Sequence, residues 1–288
     1  MVAYKEVRMS TPFTITNDRG LEILGDTHIP EGDPTACAII VHGFKGYKDY
    51  GFIPLLAHDL CARGIMVHRI NLSTSGMTND TATFARPDLF ELDTWSRQVD
   101  DVRRVVRAVR SGEIAGKGLP LYLIGHSRGG ATGLLAGGRY RDELGLSGIV
   151  TINAVDRCNR LSNDEHRAML ARGYTITQSA RTKQELRIDA NWLQEQIDEP
   201  EAHDVLLQAS RCSVPVLVMH GDADEAVNIE SGQAIAYKLN TPLCVLPGSN
   251  HVLNMVNPSE LSGERSPVLL KATDEITRFI HGIDSSSS

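Results

Sequence analysis

Ser127 stands in Gly125-His126-Ser127-Arg128-Gly129, a stretch that reads G-x-S-x-G. The apolar run Leu121-Tyr122-Leu123-Ile124 precedes it, and the small-residue run Gly130 to Ala136 follows. That order predicts a buried strand entering a helix through a turn so tight that glycine is wanted at both flanks. The central hydroxyl would then be exposed at a helix N-terminus, where the dipole and free N–H groups favour developing negative charge. The chemistry such a serine can do is nucleophilic attack on an acyl carbon. A serine hydroxyl is a weak nucleophile at neutral pH, so a base must lie within hydrogen-bond reach and a third group must orient that base.

With a nucleophile elbow of this kind, the remaining partners are expected in the chain order acid, then histidine. The acid candidate is Asp224, in His220-Gly221-Asp222-Ala223-Asp224-Glu225, directly after the apolar run Val214–Met219. Asp222, Glu225 and Asp156 compete with it; Asp222 is better suited to forming a turn. The base candidate is His251, in Pro247-Gly248-Ser249-Asn250-His251, after the run Leu243–Leu246. His28, His166, His203 and His281 fall in polar or terminal surroundings and are expected at the surface, whereas His58 and His68 fall in helix and strand patterns. A third element is His42-Gly43-Phe44-Lys45-Gly46, after the run Ala36–Val41. The backbone N–H groups of Phe44 and Arg128 are the natural pair to hold an oxyanion, with His42 and Gly43 shaping the loop. Gly125, His126 and Gly129 support the elbow, and Arg128 is also a candidate for a substrate carboxylate. Ser73, Tyr174 and Trp192 are candidate pocket residues.

The elements that would position these residues are legible along the chain. Residues 5–28 read as a β-meander with turn signals at Thr11-Pro12 and Asn17-Asp18-Arg19-Gly20. Nearly continuous apolar runs follow, adding Ile65–Ile70 and Gly148–Ile152 to those above, as expected of strands covered on both faces. Helical patterns lie between them. Trp95, Val99, Val102, Val106 and Val109 define an apolar stripe, and Asp100, Asp101, Arg103, Arg104, Arg107 and Arg110 define the opposite, solvated face. A last helix spans about 267–283. Strands alternating with helices predict an α/β fold with a mostly parallel, doubly wound sheet and an antiparallel N-terminal edge. Residues 155–211 break the alternation and are too long for an ordinary connection. They are expected to form a small helical cap inserted after the sixth strand, on a core of residues 1–154 and 212–283, with 284–288 a disordered tail.

Composition narrows the function classes. The chain has 288 residues, 41% of them hydrophobic, and a net charge of −7 without a basic stripe, which argues against nucleic acid as a partner. No apolar stretch reaches membrane-spanning length. The N-terminus lacks a charged-then-apolar leader, so a cytoplasmic location is expected. The five cysteines, Cys37, Cys61, Cys158, Cys212 and Cys244, are scattered and expected as reduced, buried thiols. Metal-binding and phosphate-loop motifs are absent, so no metal and no cofactor is expected.

The phrases His42-Gly43-Phe44-Lys45-Gly46-Tyr47-Lys48-Asp49, Gly125-His126-Ser127-Arg128-Gly129-Gly130, His220-Gly221-Asp222-Ala223-Asp224 and Gly248-Ser249-Asn250-His251 resemble those of the α/β-hydrolase superfamily. The resemblance runs from about residue 10 to 282. It is strongest to bacterial feruloyl/cinnamoyl esterases and dienelactone-hydrolase-like proteins, which share a core with prolyl oligopeptidases. It implies ester hydrolysis through an acyl-enzyme, with Ser127 as nucleophile, His251 as base and Asp224 as orienter. Dienelactone hydrolases carry cysteine, and dehalogenases aspartate, where this chain has Ser127. The expected substrate is a small or medium carboxylic ester, aromatic acyl groups included, acted on by a monomer or homodimer. A thioesterase or short-peptide amidase with the same triad is the alternative, and a non-catalytic ligand-binding protein the third reading.

Overall fold

In a computed structural model the described residues are 10–282. The tail 284–288, the first residues of the expected meander and Ile283 lie outside them. Ten strands and ten helices lie among the described residues. The strands are β1 Thr11–Thr16, β2 Glu22–His28, β3 Ala36–Val41, β4 Ile65–Asn71, β5 Leu121–His126, β6 Gly148–Ile152, β7 Tyr174–Gln178, β8 Glu185–Asp189, β9 Val216–Gly221 and β10 Leu243–Leu246. The helices are α1 Ile53–Cys61, α2 Pro87–Glu91, α3 Trp95–Ser111, α4 Arg128–Arg139, α5 Arg141–Leu144, α6 Asn163–Arg172, α7 Asn191–Asp198, α8 Val205–Arg211, α9 Ile229–Leu239 and α10 Pro267–His281.

Eight strands form one sheet in the order β1-β2-β4-β3-β5-β6-β9-β10. β1 and β2 pair antiparallel, as do β2 and β4, and every other pairing is parallel. Strand alternation divides the core between the two faces. Cys37, Ile39 and Val41 of β3 pack with Trp95, Val102 and Val106 of α3 and with α4, α8 and α9. Ala36, Ala38 and Ile40 face α1 and α10, through Leu55, Leu56, Leu60, Leu269 and Ile276. Such two-sided cover is why these strands read as unbroken apolar runs. The chain crosses from one half of the sheet to the other between β3 and β5, and the loops leaving those neighbouring strands carry His42–Gly46 and the Ser127 turn. Open sheets of this kind gather reactive groups at that point.

Two expectations change in detail. The face of α3 opposite its apolar stripe is not wholly solvated. Asp101 is fully buried, where its carboxylate accepts from Asn17 Nδ2 and from the Ser73 N–H, each at 2.7 Å. The interval 155–211 is not helical alone, because β7 and β8 form an antiparallel hairpin within it. The threonines and isoleucine of Tyr174-Thr175-Ile176-Thr177 favour an extended chain over a helix. Leu186 of β8 packs into a cluster with Tyr47, Met77, Phe84 and Phe90. Gln184 adds polar fastening, accepting from Thr83 Oγ1 (2.7 Å) and Phe84 N (2.8 Å). All five cysteines are free, three of them buried and two half-buried.

Candidate active site

Ser127 links β5 to α4 with φ 54° and ψ −122°, a strained conformation for a non-glycine residue. The flanking glycines are required by close approach. A Cβ on Gly125 would lie 2.3 Å from the Gly129 carbonyl oxygen, and one on Gly129 would lie 2.4 Å from that of Val41. The turn thrusts Ser127 against the loop after β3, where a Cβ on Gly43 would meet Ser127 Cβ at 2.9 Å. Arg128 is the first residue of α4, so its N–H has no acceptor within the helix.

The His42–Gly46 loop is braced from behind. The Leu72 N–H donates to His42 Nε2 at 3.2 Å, so the other ring nitrogen, Nδ1, carries the proton and donates to the Gly43 carbonyl at 2.8 Å. Burial pushes the His42 pKa down to about 4, keeping the neutral tautomer this bracing needs. Further along the loop, the Lys48 N–H donates to Asn71 Oδ1 at 2.7 Å and Lys48 Nζ pairs with Asp26 at 2.6 Å. Lys45 reaches outward to the β7–β8 hairpin, donating to Thr177 Oγ1 (3.0 Å) and the Gln178 carbonyl (2.8 Å).

Asp224 and His251 come together across the loops that leave β9 and β10. His251 Nδ1 lies 2.7 Å from Asp224 Oδ2, with the carboxylate buried and the imidazole 23% exposed. The second oxygen, Oδ1, accepts from the N–H groups of Ala226 (2.8 Å) and Val227 (2.9 Å). Burial works to raise the Asp224 pKa, but the His251 hydrogen bond, the two backbone donors and the His251 charge outweigh it and hold it below the ordinary carboxylate value. The competing acids are committed elsewhere. Asp222 accepts from the Gly248 N–H at 2.6 Å, Asp156 is bound by Arg157, Arg160 and Ser231, and Glu225 is exposed.

His126 and Asn153 hold the His251 loop. His126 Nε2 lies 2.8 Å from the His251 carbonyl oxygen, and Asn153 Nδ2 donates to the same oxygen at 3.0 Å. Asn153 Oδ1 accepts from the Gly221 N–H at 2.8 Å, so one fully buried side chain ties β6, β9 and the histidine loop together. Sequence reasoning missed Asn153. The available signal was a lone amide immediately after the Gly148–Ile152 run, at the strand end where site residues collect.

The other predicted residues are placed as follows. Ser73 is buried and accepts from Asn17 Nδ2 at 3.1 Å. Tyr174 lies under two guanidinium groups, of Arg187 (3.9 Å to the ring centre) and Arg172 (4.5 Å). Trp192 packs on the α3–α4 side of the core. Phe44 presents a 37% exposed ring beside Phe90. Arg128 is buried and pairs with Asp93 at 3.2 Å. His28 and His203, expected at the surface, are buried instead. The first accepts from Arg69 Nε at 2.9 Å, and the second donates from Nδ1 to the Glu199 carbonyl at 2.9 Å.

A mostly parallel eight-stranded sheet with a strained serine elbow after β5 defines an α/β hydrolase. Residues 32–204 match the family model Hydrolase_4, described as serine aminopeptidase, S33, and the chain belongs to this family of serine hydrolases. Among solved structures it is similar to Est1E from Butyrivibrio proteoclasticus bound to ferulic acid (TM-score 0.71, 20% identity, 94% of this chain and 98% of that one). It is also similar to dienelactone hydrolase from Anabaena variabilis (TM-score 0.59, 14% identity, 95% and 99%). A Mycobacterium tuberculosis puromycin-hydrolyzing peptidase is similar over 98% of this chain but only 40% of its own length (TM-score 0.63, 17% identity). A search of curated proteins returns no match. Among the described residues no helix is long and apolar enough to cross a membrane.

Proposed function

We propose that the protein hydrolyses small to medium carboxylic esters through an acyl-serine intermediate, with Ser127, His251 and Asp224 as the catalytic triad. One observation carries the reading: the Asp224–His251 pair is fastened, through the His251 carbonyl, to His126, the residue that precedes Ser127 on the elbow. In acylation, Ser127 Oγ bonds to the acyl carbon as His251 Nε2 takes the hydroxyl proton, which then leaves with the alcohol. The Phe44 and Arg128 N–H groups hold the oxyanion. In deacylation, His251 takes a proton from water as its oxygen bonds to the acyl carbon, then returns that proton to Ser127 Oγ as the acyl–oxygen bond breaks and the acid departs. Residues 155–211 form the cap over the site, fastened to the oxyanion loop by Lys45.

The family's description as serine aminopeptidase favours a second reading, in which the same triad cleaves a short-peptide amide. Hydrolysis of p-nitrophenyl esters from acetate to laurate, a hydroxycinnamate ester and matched amino-acid anilides tests both. Ester turnover that falls at least ~10³-fold in Ser127→Ala supports the esterase. Turnover of anilides alone moves the assignment to the amidase.

A further inference from the structure

The loop after β3 closes through a residue held in a conformation that its side chain disfavours. The Gly46 N–H donates to the Gly43 carbonyl at 3.0 Å, closing a turn over Gly43-Phe44-Lys45-Gly46. Lys45, the third residue of that turn, has φ 57°, in the left-handed region where glycine or asparagine is the usual occupant. Most other residues enter that region at a population cost of roughly tenfold. The Lys45 side chain supplies the anchor. Its Nζ donates to Thr177 Oγ1 (3.0 Å) and to the Gln178 carbonyl (2.8 Å) of the β7–β8 hairpin, and it lies 5.1 Å from the centre of the Phe44 ring. The turn in its present form aims one peptide unit. The Gly43 carbonyl accepts twice, from the Gly46 N–H and from His42 Nδ1 at 2.8 Å. In a trans peptide the carbonyl and the next N–H point in opposite directions, so two donors on that oxygen fix the direction of the Phe44 N–H. That peptide lies against the nucleophile, because a Cβ on Gly43 would sit 3.4 Å from Ser127 Oγ.

We propose that Lys45 is a positioning residue of the oxyanion hole: anchored on the hairpin, it holds the Gly43–Gly46 turn left-handed and keeps the Phe44 N–H aimed at the acyl oxygen. This rests on the esterase reading, from which Phe44 takes its role, and adds that docking of the hairpin sets the oxyanion geometry. With the anchor cut, residue 45 relaxes to negative φ, and the turn opens or its central peptide turns over. The Phe44 donor is then misaligned in the transition state, while ground-state binding is spared.

Lys45→Ala and Lys45→Gly test the proposal. Both remove the anchor and the charge, and they differ by one methyl group, which burdens only a left-handed residue. The readouts are steady-state hydrolysis of p-nitrophenyl butyrate and calorimetric binding of n-butylboronic acid. Ser127 Oγ adds to the boron as His251 takes the hydroxyl proton, and the tetrahedral adduct places an oxygen where the oxyanion forms. In Lys45→Ala, kcat and boronate affinity should each fall about tenfold, with KM changed less than ~threefold. Lys45→Gly should recover most of both losses. Lys45→Met replaces Lys45→Ala if that variant does not fold by circular dichroism. Full activity in Lys45→Ala, equal losses in Lys45→Ala and Lys45→Gly, or a loss confined to KM would overturn the proposal. The wild type reads the esterase assignment separately. If it hydrolyses esters and Lys45→Ala matches it, only the Lys45 assignment falls. If it is inert to every ester yet binds the boronate with the same difference between the alanine and glycine variants, only the ester substrate falls. A wild type that neither turns over esters nor binds the boronate overturns both.

Discussion

His126 Nε2 donates to the main-chain carbonyl of His251 at 2.8 Å, and the two rings lie 4.7 Å apart. Burial pushes the His126 pKa down to about 3, with the neighbouring His251 charge adding to the effect, so its ring is neutral. The elbow thus grips the loop that carries the candidate base. His126→Phe keeps a ring of similar size and removes the donor. It should lower kcat roughly tenfold with a smaller effect on KM, because misplacing a catalytic group costs rate more than binding. Steady-state kinetics with p-nitrophenyl butyrate checks this; unchanged kcat would show that Asn153 suffices to hold the loop.

Asp224→Asn should leave the fold intact and nearly abolish activity. Asp224 Oδ1 faces the N–H groups of Ala226 and Val227, so an asparagine would turn its oxygen to them. Its amide N–H would then point at His251 Nδ1 and force the tautomer that cannot accept the serine proton. A fall of about 10³–10⁴ in kcat is expected, with the urea midpoint little changed. A variant retaining a tenth of the wild-type kcat would remove Asp224 from the triad.

Stability should fall on acidification from pH 6.5. His42 and His126 have folded pKa values of about 4 and about 3, while an unfolded histidine titrates near ~6.5. The unfolded chain therefore binds more protons below pH ~6.5, and stability is lost progressively until the folded pKa values are passed. At pH 5 each histidine contributes a loss of about 2 kcal/mol relative to pH 8. Urea unfolding at the two pH values tests the sign. A midpoint that rises on acidification would contradict the buried, neutral assignment.

Lys45 joins the His42–Gly46 loop to the β7–β8 hairpin through Thr177 and Gln178. Lys45→Met should loosen that end of the hairpin, raising amide exchange across 174–178 by about fivefold, the equivalent of ~1 kcal/mol. The β9 and β10 amides should be unaffected. Hydrogen exchange followed by mass spectrometry reads both segments, and equal exchange in the hairpin would mean that Leu186 and Gln184 alone fasten it.

Much of this was legible in the sequence because period and position act locally. The runs that became β3, β5 and β6 announced themselves through two-sided burial, and the elbow through glycines that backbone contact demands. The Asp224–His251 pairing followed from strand ends in chain order. The less legible features depend on contacts between distant segments. Asp101 looks like part of a solvated face until Asn17, 84 positions away, donates to it. Asn153 is one amide among many until β9 and the histidine loop close around it. The β7–β8 hairpin is short, and its docking partners Tyr47, Met77, Phe84 and Phe90 come from two other loops and from α2.

In the proposed mechanism Ser127 carries the acyl group. Rapid-quench mass spectrometry of the protein mixed with p-nitrophenyl butyrate tests it directly. A burst of p-nitrophenol stoichiometric with enzyme and one butyryl group on the peptide containing Ser127 are expected, both absent in Ser127→Ala. Turnover that persists in Ser127→Ala, or an adduct on another residue, would contradict it.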